Sequence, residues 1–299
     1  MKIILTLFLM LISFSSAVSE KVYVGIYVVN LGKFEVATGS FTADFYMTLK
    51  TEKEAEFPLD SFEFMNGRAV SSEKILEEPN LVQYRIMANL TNPVDLRKFP
   101  FDDQILSIII ENKKYTSDKV KYVIVDRDSG LDEMIAFAGW NIRGWKAEER
   151  DHIYKVFNET YSLASFNIQI EKIRWNAFFK TFLPVLIIIF LVNCSFIMDT
   201  DKIKDRLGIC TSGLVASVMF HLSISNQIPA VSYLTIADKF MLHTYIVLLM
   251  CVLLNVFMLQ LIQVRNEDIT QKIHRFTKYG MFIVIPAIYM LFFAVNLTD

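Results

Sequence analysis

Hydrophobic positions follow two patterns along this chain, and the change between them falls near residue 174. Before that point, short apolar or alternating runs are separated by turn signals rich in Gly, Pro, Asn and Ser. Such runs predict strands at 22–29, 41–49, 82–87, 105–110, 120–125 and 163–170. Many short strands with turn signals between them are typical of an antiparallel β-sandwich. The first part of the chain is therefore predicted to be an all-β sandwich domain.

After residue 174 the chain carries four long stretches without Asp, Glu, Lys or Arg, at 181–198, 207–237, 240–264 and 279–298. A helix of roughly 20 residues spans the hydrocarbon core of a bilayer. Pro229 divides the second stretch, so its later part is expected to be a loop. The sequence predicts a four-helix transmembrane bundle, with helices at about 176–198, 206–228, 236–264 and 276–297.

The amino terminus has the three-part pattern of a secretory signal. Lys2 precedes an apolar run at 3–14, and small residues follow at 15–17. We expect residues 1–17 to be a cleaved signal peptide, and an uncleaved anchor is the alternative. The remaining domains are then an extracellular domain at 18–174 and a membrane domain at 175–299. Basic residues in the 265–278 loop favour its cytoplasmic placement, in a plasma or bacterial inner membrane with the first domain outside.

Composition and charge exclude several function classes. The chain has 53% hydrophobic and 21% charged residues, which suits a polar domain joined to a membrane domain. A net charge of −2 provides no basic field for nucleic acid. The cysteines Cys194, Cys210 and Cys251 all lie in apolar stretches, so neither a disulfide scaffold nor a zinc site is expected. No nucleophile elbow, phosphate loop or HExxH motif occurs, so we expect no enzyme activity, no cofactor and no metal site.

The second predicted membrane helix carries a distinct face. Steps of 4, 3, 4, 3 and 4 place six residues on that face, namely Gly208, Ser212, Val215, Met219, Leu222 and Asn226. The face is small or polar at both ends and apolar in the middle, which would suit a water-filled pore that several copies surround. Close helix packing through small residues explains the same positions equally well. His221 in this helix and His243 in the next are expected to be packing residues, with proton sensing as the alternative.

Several short sequence motifs favour a pore over close helix packing. The segment Phe99-Pro100-Phe101-Asp102 within 95–104 resembles the loop signature of pentameric ligand-gated ion channels, the Cys-loop receptors and their prokaryotic relatives. Asn92 and Leu106 stand where the animal receptors have the two loop cysteines, as in the bacterial members. Further matches follow in the family's order, at 25–27, 61–66, Pro184, 205–207 and 229–233.

The resemblance implies a homopentamer around a pore for inorganic ions, and it assigns roles to several residues. Asp205 at the inner mouth would form a carboxylate ring that favours cations. Four residues would couple the outer domain to the pore, namely Asp102, Lys172, Arg174 and Pro229. We expect Asp102 to form an ion pair with Lys172 or Arg174. The effector is left open between a small molecule, a proton and calcium.

The expected ligand site departs from the family. Lys50-Thr51-Glu52 and Pro58-Leu59-Asp60 replace two motifs that usually supply aromatic residues. Glu111, Tyr154 and Tyr161 are the remaining candidates for ligand binding, and sheet packing is their alternative role. The sequence thus predicts a ligand-gated, cation-selective ion channel. The alternative is a non-conducting receptor in which the helices only anchor the β-sandwich.

Overall fold

The computed structural model describes residues 19–264 and 267–297, so the predicted signal peptide lies outside the described residues. The described chain begins with a β domain. Its strands are β1 (Glu20–Leu31), β2 (Ser40–Lys50), β3 (Phe62–Phe64), β4 (Gly67–Glu78), β5 (Leu81–Thr91), β6 (Asp103–Asn112), β7 (Val120–Ile124), β8 (Gly130–Leu131), β9 (Trp140–Tyr154) and β10 (Glu159–Lys172).

These strands form two sheets that pack face to face, and the predicted β-sandwich is confirmed. One sheet has the order β4-β5-β2-β1-β7, with β8 also on β1, and the other has the order β3-β6-β10-β9. Neighbouring strands run antiparallel except that β1 is parallel to β7 and β8. Rings of Phe45 and Phe64 from the two sheets meet edge to face at 6.0 Å. Burial of such apolar side chains between the layers is the main stabilising contribution.

Two long strands, β4 and β9, show no hydrophobic alternation in the sequence because they lie at sheet edges. Every residue of β4 after Gly67 is exposed, so its sequence shows no alternation of apolar and polar positions. β9 lies at the edge of the other sheet and buries only Trp140 fully. Period-two patterning reports burial of one face rather than strand conformation itself. Edge strands without a buried face are therefore invisible to it.

The helical part follows almost immediately, since only Ile173 separates β10 from the first helix. Its helices are α1 (Arg174–Thr181), α2 (Leu183–Ser195), α3 (Ile203–Ser225), α4 (Ile236–Gln263) and α5 (Glu267–Leu297). α3, α4 and α5 are long and apolar enough to cross a membrane. α1 and α2 meet at a bend of 43°, and they provide a fourth crossing if the bent pair is one span. The expected single helix at 176–198 is thus two helices that break at Phe182.

A shared aromatic cluster explains how this bend is held. Phe182 is fully buried, and its ring lies 4.8 Å from Phe240 of α4 and 5.3 Å from Phe293 of α5. Pro184 at the start of α2 has no backbone N–H to continue the α1 hydrogen-bond ladder. The break therefore combines a missing donor with a ring that packs into the neighbouring helices.

Candidate pore, coupling and ligand sites

The predicted pore face of α3 is open in the isolated chain. Gly208, Ser212, Val215, Met219 and Leu222 are exposed along α3, and Asn226 caps its end. The opposite side of α3 is packed, with Cys210, Gly213 and Ser217 buried. A Cβ on Gly213 would come within 2.6 Å of Val192 in α2, whereas a Cβ on Gly208 would meet nothing within 4 Å. Close packing thus explains Gly213, and it does not explain Gly208 within one chain.

At the amino-terminal end of α3, three adjacent charged residues differ in their exposure. Lys204 and Asp205 are exposed. Arg206 is fully buried, and its guanidinium carbon lies 4.9 Å from the centre of the Phe196 ring. Of the three charges, only Lys204 and Asp205 are therefore available at the exposed surface. Both also border a groove of about 530 Å³ between α2 and α3, together with Gly208 and Ser212.

The loop between β5 and β6 rests directly on the helical part. The Leu96 N–H donates to the Tyr233 hydroxyl at 2.9 Å, and the Ala237 N–H donates to the Phe99 carbonyl at 3.1 Å. Leu96 and Phe99 also share a small buried cluster with Ile224 at the end of α3. The loop that resembles the family signature therefore touches the α3–α4 connection, which includes the half-buried Pro229. The role of these residues in coupling remains a prediction.

The expected ion pair of Asp102 is absent. Asp102 is 1% exposed; its Oδ2 accepts from Gln104 Nε2 at 3.0 Å, and its Oδ1 has no partner. Burial raises the pKa of Asp102 in spite of the Gln104 hydrogen bond and the charge of Lys172. Burial likewise lowers the pKa of Lys172. A close ion pair would move both values in the opposite directions. The prediction of an ion pair was wrong. Burial of Asp102 and Lys172 disfavours their charged forms more than the attraction between the two charges favours them, and residue spacing in the sequence does not report burial.

Lys172 instead packs on an aromatic ring. Its Nζ lies 4.1 Å from the centre of the Trp140 ring, a cation–π contact between the paired ends of β9 and β10. Lys172 and Trp140 are register partners, so the sheet itself brings them together. Arg174, the other candidate partner of Asp102, is exposed at the first position of α1.

The three ligand-site candidates come together at the other end of the β9–β10 hairpin. Glu111 is 1% exposed, and its Oε1 accepts a hydrogen bond from the Tyr154 hydroxyl at 2.9 Å. The rings of Tyr154 and Tyr161 meet edge to face at 5.6 Å. Burial and the bond to Glu111 raise the pKa of Tyr154 to about 12, so its hydroxyl keeps its proton at neutral pH. Phe157 in the hairpin turn contributes a third ring, 6.5 Å from Tyr154.

His152, which was not predicted from the sequence, also belongs to this cluster. Its Nδ1 lies 2.6 Å from Glu111 Oε2, and its ring lies 4.3 Å from that of Tyr154. Side chains two residues apart on a strand share a face, so the spacing of His152 and Tyr154 was the available signal. The cluster thus joins a buried carboxylate, an imidazole and several aromatic rings. The described residues contain no group of three or more His, Cys, Asp or Glu side chains that is arranged to hold a metal ion.

Comparison with known proteins finds relatives that are named as acetylcholine receptor subunits or as an ion channel. The neuronal acetylcholine receptor subunit alpha-6 of Gallus gallus is 24% identical over 170 residues, covering 56% of this chain and 34% of the subunit. A proton-gated ion channel of Gloeobacter violaceus is 22% identical over 167 residues, covering 55% of this chain and 46% of the channel. The acetylcholine receptor subunit alpha-like 2 of Drosophila melanogaster is 26% identical over 179 residues, covering 56% of this chain and 31% of the subunit. This chain thus spans less than half the length of these relatives. No protein-family model matches it.

Proposed function

We propose that this chain, a homologue of the pentameric ligand-gated ion channels of the Cys-loop superfamily, forms a homopentameric, cation-selective channel. Its β domain would lie outside a plasma or bacterial inner membrane, and a chemical signal at that domain would open the pore. Asp205, which is exposed at the amino-terminal end of α3, supports cations as the permeating ions, because a ring of carboxylates attracts positive charge. The channel needs no catalytic step and no cofactor.

One observation supports this function above the others, namely the uncovered face of α3. Val215, Met219 and Leu222 form an exposed apolar band on α3, and exposed polar or small residues flank the band at both ends. A helix that only faces lipid gains nothing from Ser212 and Asn226 at the two ends of that band. Around an aqueous pore, the polar rings would hydrate ions and the apolar rings would exclude water when the pore is closed.

The cluster around Glu111 is the proposed ligand site. Its buried carboxylate and the rings of Tyr154 and Tyr161 suit a small organic cation, because a carboxylate and aromatic faces both attract positive charge. The acetylcholine receptor relatives agree with a cationic ligand. A change in pH is the second candidate signal, and the name of the Gloeobacter relative, a proton-gated ion channel, agrees with it.

Current recordings from the full chain in planar bilayers test the channel. A panel of primary and quaternary amines, pH steps and calcium would be applied as activators. Cysteines placed at Ser212, Val215 and Met219 should then react with charged thiol reagents from the aqueous side and block the current. Cysteines at Ser217, which is buried, and Leu249, which is exposed on α4, are the matched controls.

The same experiments separate a channel from a non-conducting receptor. Particle images of the purified protein should show a fivefold ring with the α3 face inward. Well-inserted protein that never conducts under the amine, pH and calcium screens, or a monomer in such images, would favour the membrane-anchored receptor instead.

A further inference from the structure

A cavity of about 610 Å³ lies where the β domain meets the first membrane helix. The 31–36 turn, Phe99 and the 136–140 segment form its walls on the β side, and residues of α1 form the opposite wall. Gln227, just beyond α3, closes one end. The cavity is separate from the Glu111 cluster, which lies at the far end of the β9–β10 hairpin.

The polar lining of this cavity has one sign of charge. Lys33, Lys172 and Lys180 line it, and no Asp or Glu does. Lys33 lies 3.7 Å from Glu35, but neither Lys172 nor Lys180 has a carboxylate within 4.0 Å in the described chain. The charges of Lys172 and Lys180 repel each other, and Asp102 opposes this only from outside the cavity lining. The half-buried Lys172 and the exposed Lys180, neither of which has a close counter-ion among the described residues, make a favourable place for an anion.

Aromatic side chains form part of the remaining lining. Phe34, Phe137 and Trp140 are buried, and Phe34 packs edge to face on Trp140 at 5.4 Å. Ligand pockets are commonly apolar with a few placed polar groups that fix orientation. The cationic and aromatic parts of the lining meet where Lys172 Nζ lies 4.1 Å from the centre of the Trp140 ring. Lining of these two kinds matches a molecule with an anionic head and an apolar body.

The position of the cavity gives such a molecule a route of entry. Trp175 and Phe179 of α1 are exposed and stack on each other at 6.0 Å. Exposed aromatic rings at the start of a membrane helix mark the level of the lipid headgroups. The adjacent positions Asn176 and Lys180 line the cavity. The cavity therefore lies at headgroup level, next to the side of α1 that meets the membrane interface.

We propose that this junctional cavity binds an anionic amphiphile, with its carboxylate or phosphate between Lys172 and Lys180 and its apolar part against Phe34, Phe137 and Trp140. A fatty acid and an anionic phospholipid present the same chemistry. The bound molecule would contact the β domain, α1 and Gln227 at once. The site is independent of the proposed ion conduction, and its binding is measured without current.

Trp140 provides the reporter. The chain has three tryptophans, and replacing Trp145 and Trp175 by Phe leaves Trp140 as the only fluorophore of this kind. Dibromostearate, a fatty acid whose bromines quench tryptophan on contact, is titrated into this full-length protein in neutral detergent. We expect saturable quenching. The variant with Lys172→Gln and Lys180→Gln should need at least tenfold more dibromostearate for half-maximal quenching.

Three controls make the result decisive. Lys121→Gln on the exposed surface of β7 should leave the quenching unchanged, and arginine at both 172 and 180 should retain it. The neutral dibromostearyl alcohol should quench weakly and without dependence on the two lysines. Equal quenching by acid and alcohol would overturn the proposal, as would an unchanged titration in the lysine double variant. Displacement by inorganic phosphate as effective as by dodecyl phosphate would also overturn it, because the apolar part would then contribute nothing.

A final comparison identifies the source of the amphiphile. The same protein is placed in bilayer discs that contain brominated phosphatidylglycerol or brominated phosphatidylcholine. Stronger, lysine-dependent quenching by the anionic lipid assigns the site to the membrane. Quenching by dibromostearate alone assigns it to a free fatty acid. Both results support the site.

Discussion

The imidazole of His221 in α3 lies 3.2 Å from the carboxylate of Asp238 at the start of α4, measured from Nε2 to Oδ1. The other ring nitrogen lies 2.9 Å from the Tyr245 hydroxyl. Asp238 also accepts from the N–H and hydroxyl of Thr235, which completes the capping box of α4. His221 thus ties α3 to α4, at the level of the loop that contacts the β domain.

The first prediction concerns this connection. Replacing His221 by Leu should remove one hydrogen bond on each side while leaving the Thr235 cap in place. We expect a loss of stability of about 1 kcal/mol per hydrogen bond and a shift in the agonist concentration for half-maximal current. Thermal unfolding and dose-response curves measure the two effects. His243→Leu is the control, since Nε2 of His243 has no partner; equal effects in both variants would contradict the prediction.

The second prediction concerns the closed gate. Val215 is the first residue of the exposed apolar band of α3, so Val215→Ser should admit water to the closed pore. We expect resting leak, or sensitivity to the agonist, to rise roughly twofold or more. Val218→Ser, outside the predicted pore face of the same helix, should behave like the wild type in the same recordings. Unchanged gating in the Val215 variant would show that the barrier to water and ions is not formed by Val215.

The third prediction concerns ion selectivity. Asp205 is exposed at the amino-terminal end of α3, and Arg206 is buried beside Phe196. Asp205→Asn should therefore weaken cation preference, because the exposed Lys204 would then remain as the nearest charge. Reversal potentials in a salt gradient measure this change, with Asp201→Asn outside α3 as the control. A chloride-like reversal potential in the wild type would refute cation selectivity itself.

The fourth prediction concerns pH and Asp102. Burial raises its pKa, so the folded protein keeps this carboxyl protonated to higher pH than the unfolded chain does. Its contribution to stability is then greatest at acidic pH and is lost as the pH rises through the raised pKa. Asp102→Asn should match the wild type at acidic pH and unfold at a higher temperature at neutral pH. Thermal unfolding across pH tests this, and a lower unfolding temperature of the variant at neutral pH would show that the charge stabilises the fold.

The fifth prediction concerns the ligand cluster. Glu111→Gln keeps an acceptor for Tyr154 but removes the charge, so a cationic agonist should lose about tenfold or more in apparent affinity. Tyr154→Phe removes only one hydrogen bond and should cost several-fold less. Glu159→Gln, which alters the exposed partner of the Tyr161 hydroxyl, is the control in the same dose-response measurement. If all three variants respond alike, the ligand binds elsewhere.

The sequence predicts the fold well where burial leaves a pattern. Charge-free stretches indicated the helices, and alternation indicated strands such as β2, whose inward residues are all buried. The exposed strand β4 leaves no such pattern. Side-chain partners were harder to predict. Lys172 packs on Trp140 rather than pairing with Asp102, because the strand register places Lys172 opposite Trp140. The cluster around Glu111 could be predicted in part from the sequence, since His152 shares a strand face with Tyr154.

The single residue between β10 and α1 has a consequence for how such a chain tolerates changes of length. β10 runs for 14 residues from the tip of its hairpin to Lys172, roughly 45 Å of extended chain. Insertion of a single residue within it would turn every side chain on one side of the insertion to the opposite face of the sheet. Inserted residues are accommodated without this inversion at the turn between Tyr154 and Glu159. New ligand specificities are therefore expected to arise through changes in the length of this turn, while the distance from β10 to the membrane stays constant.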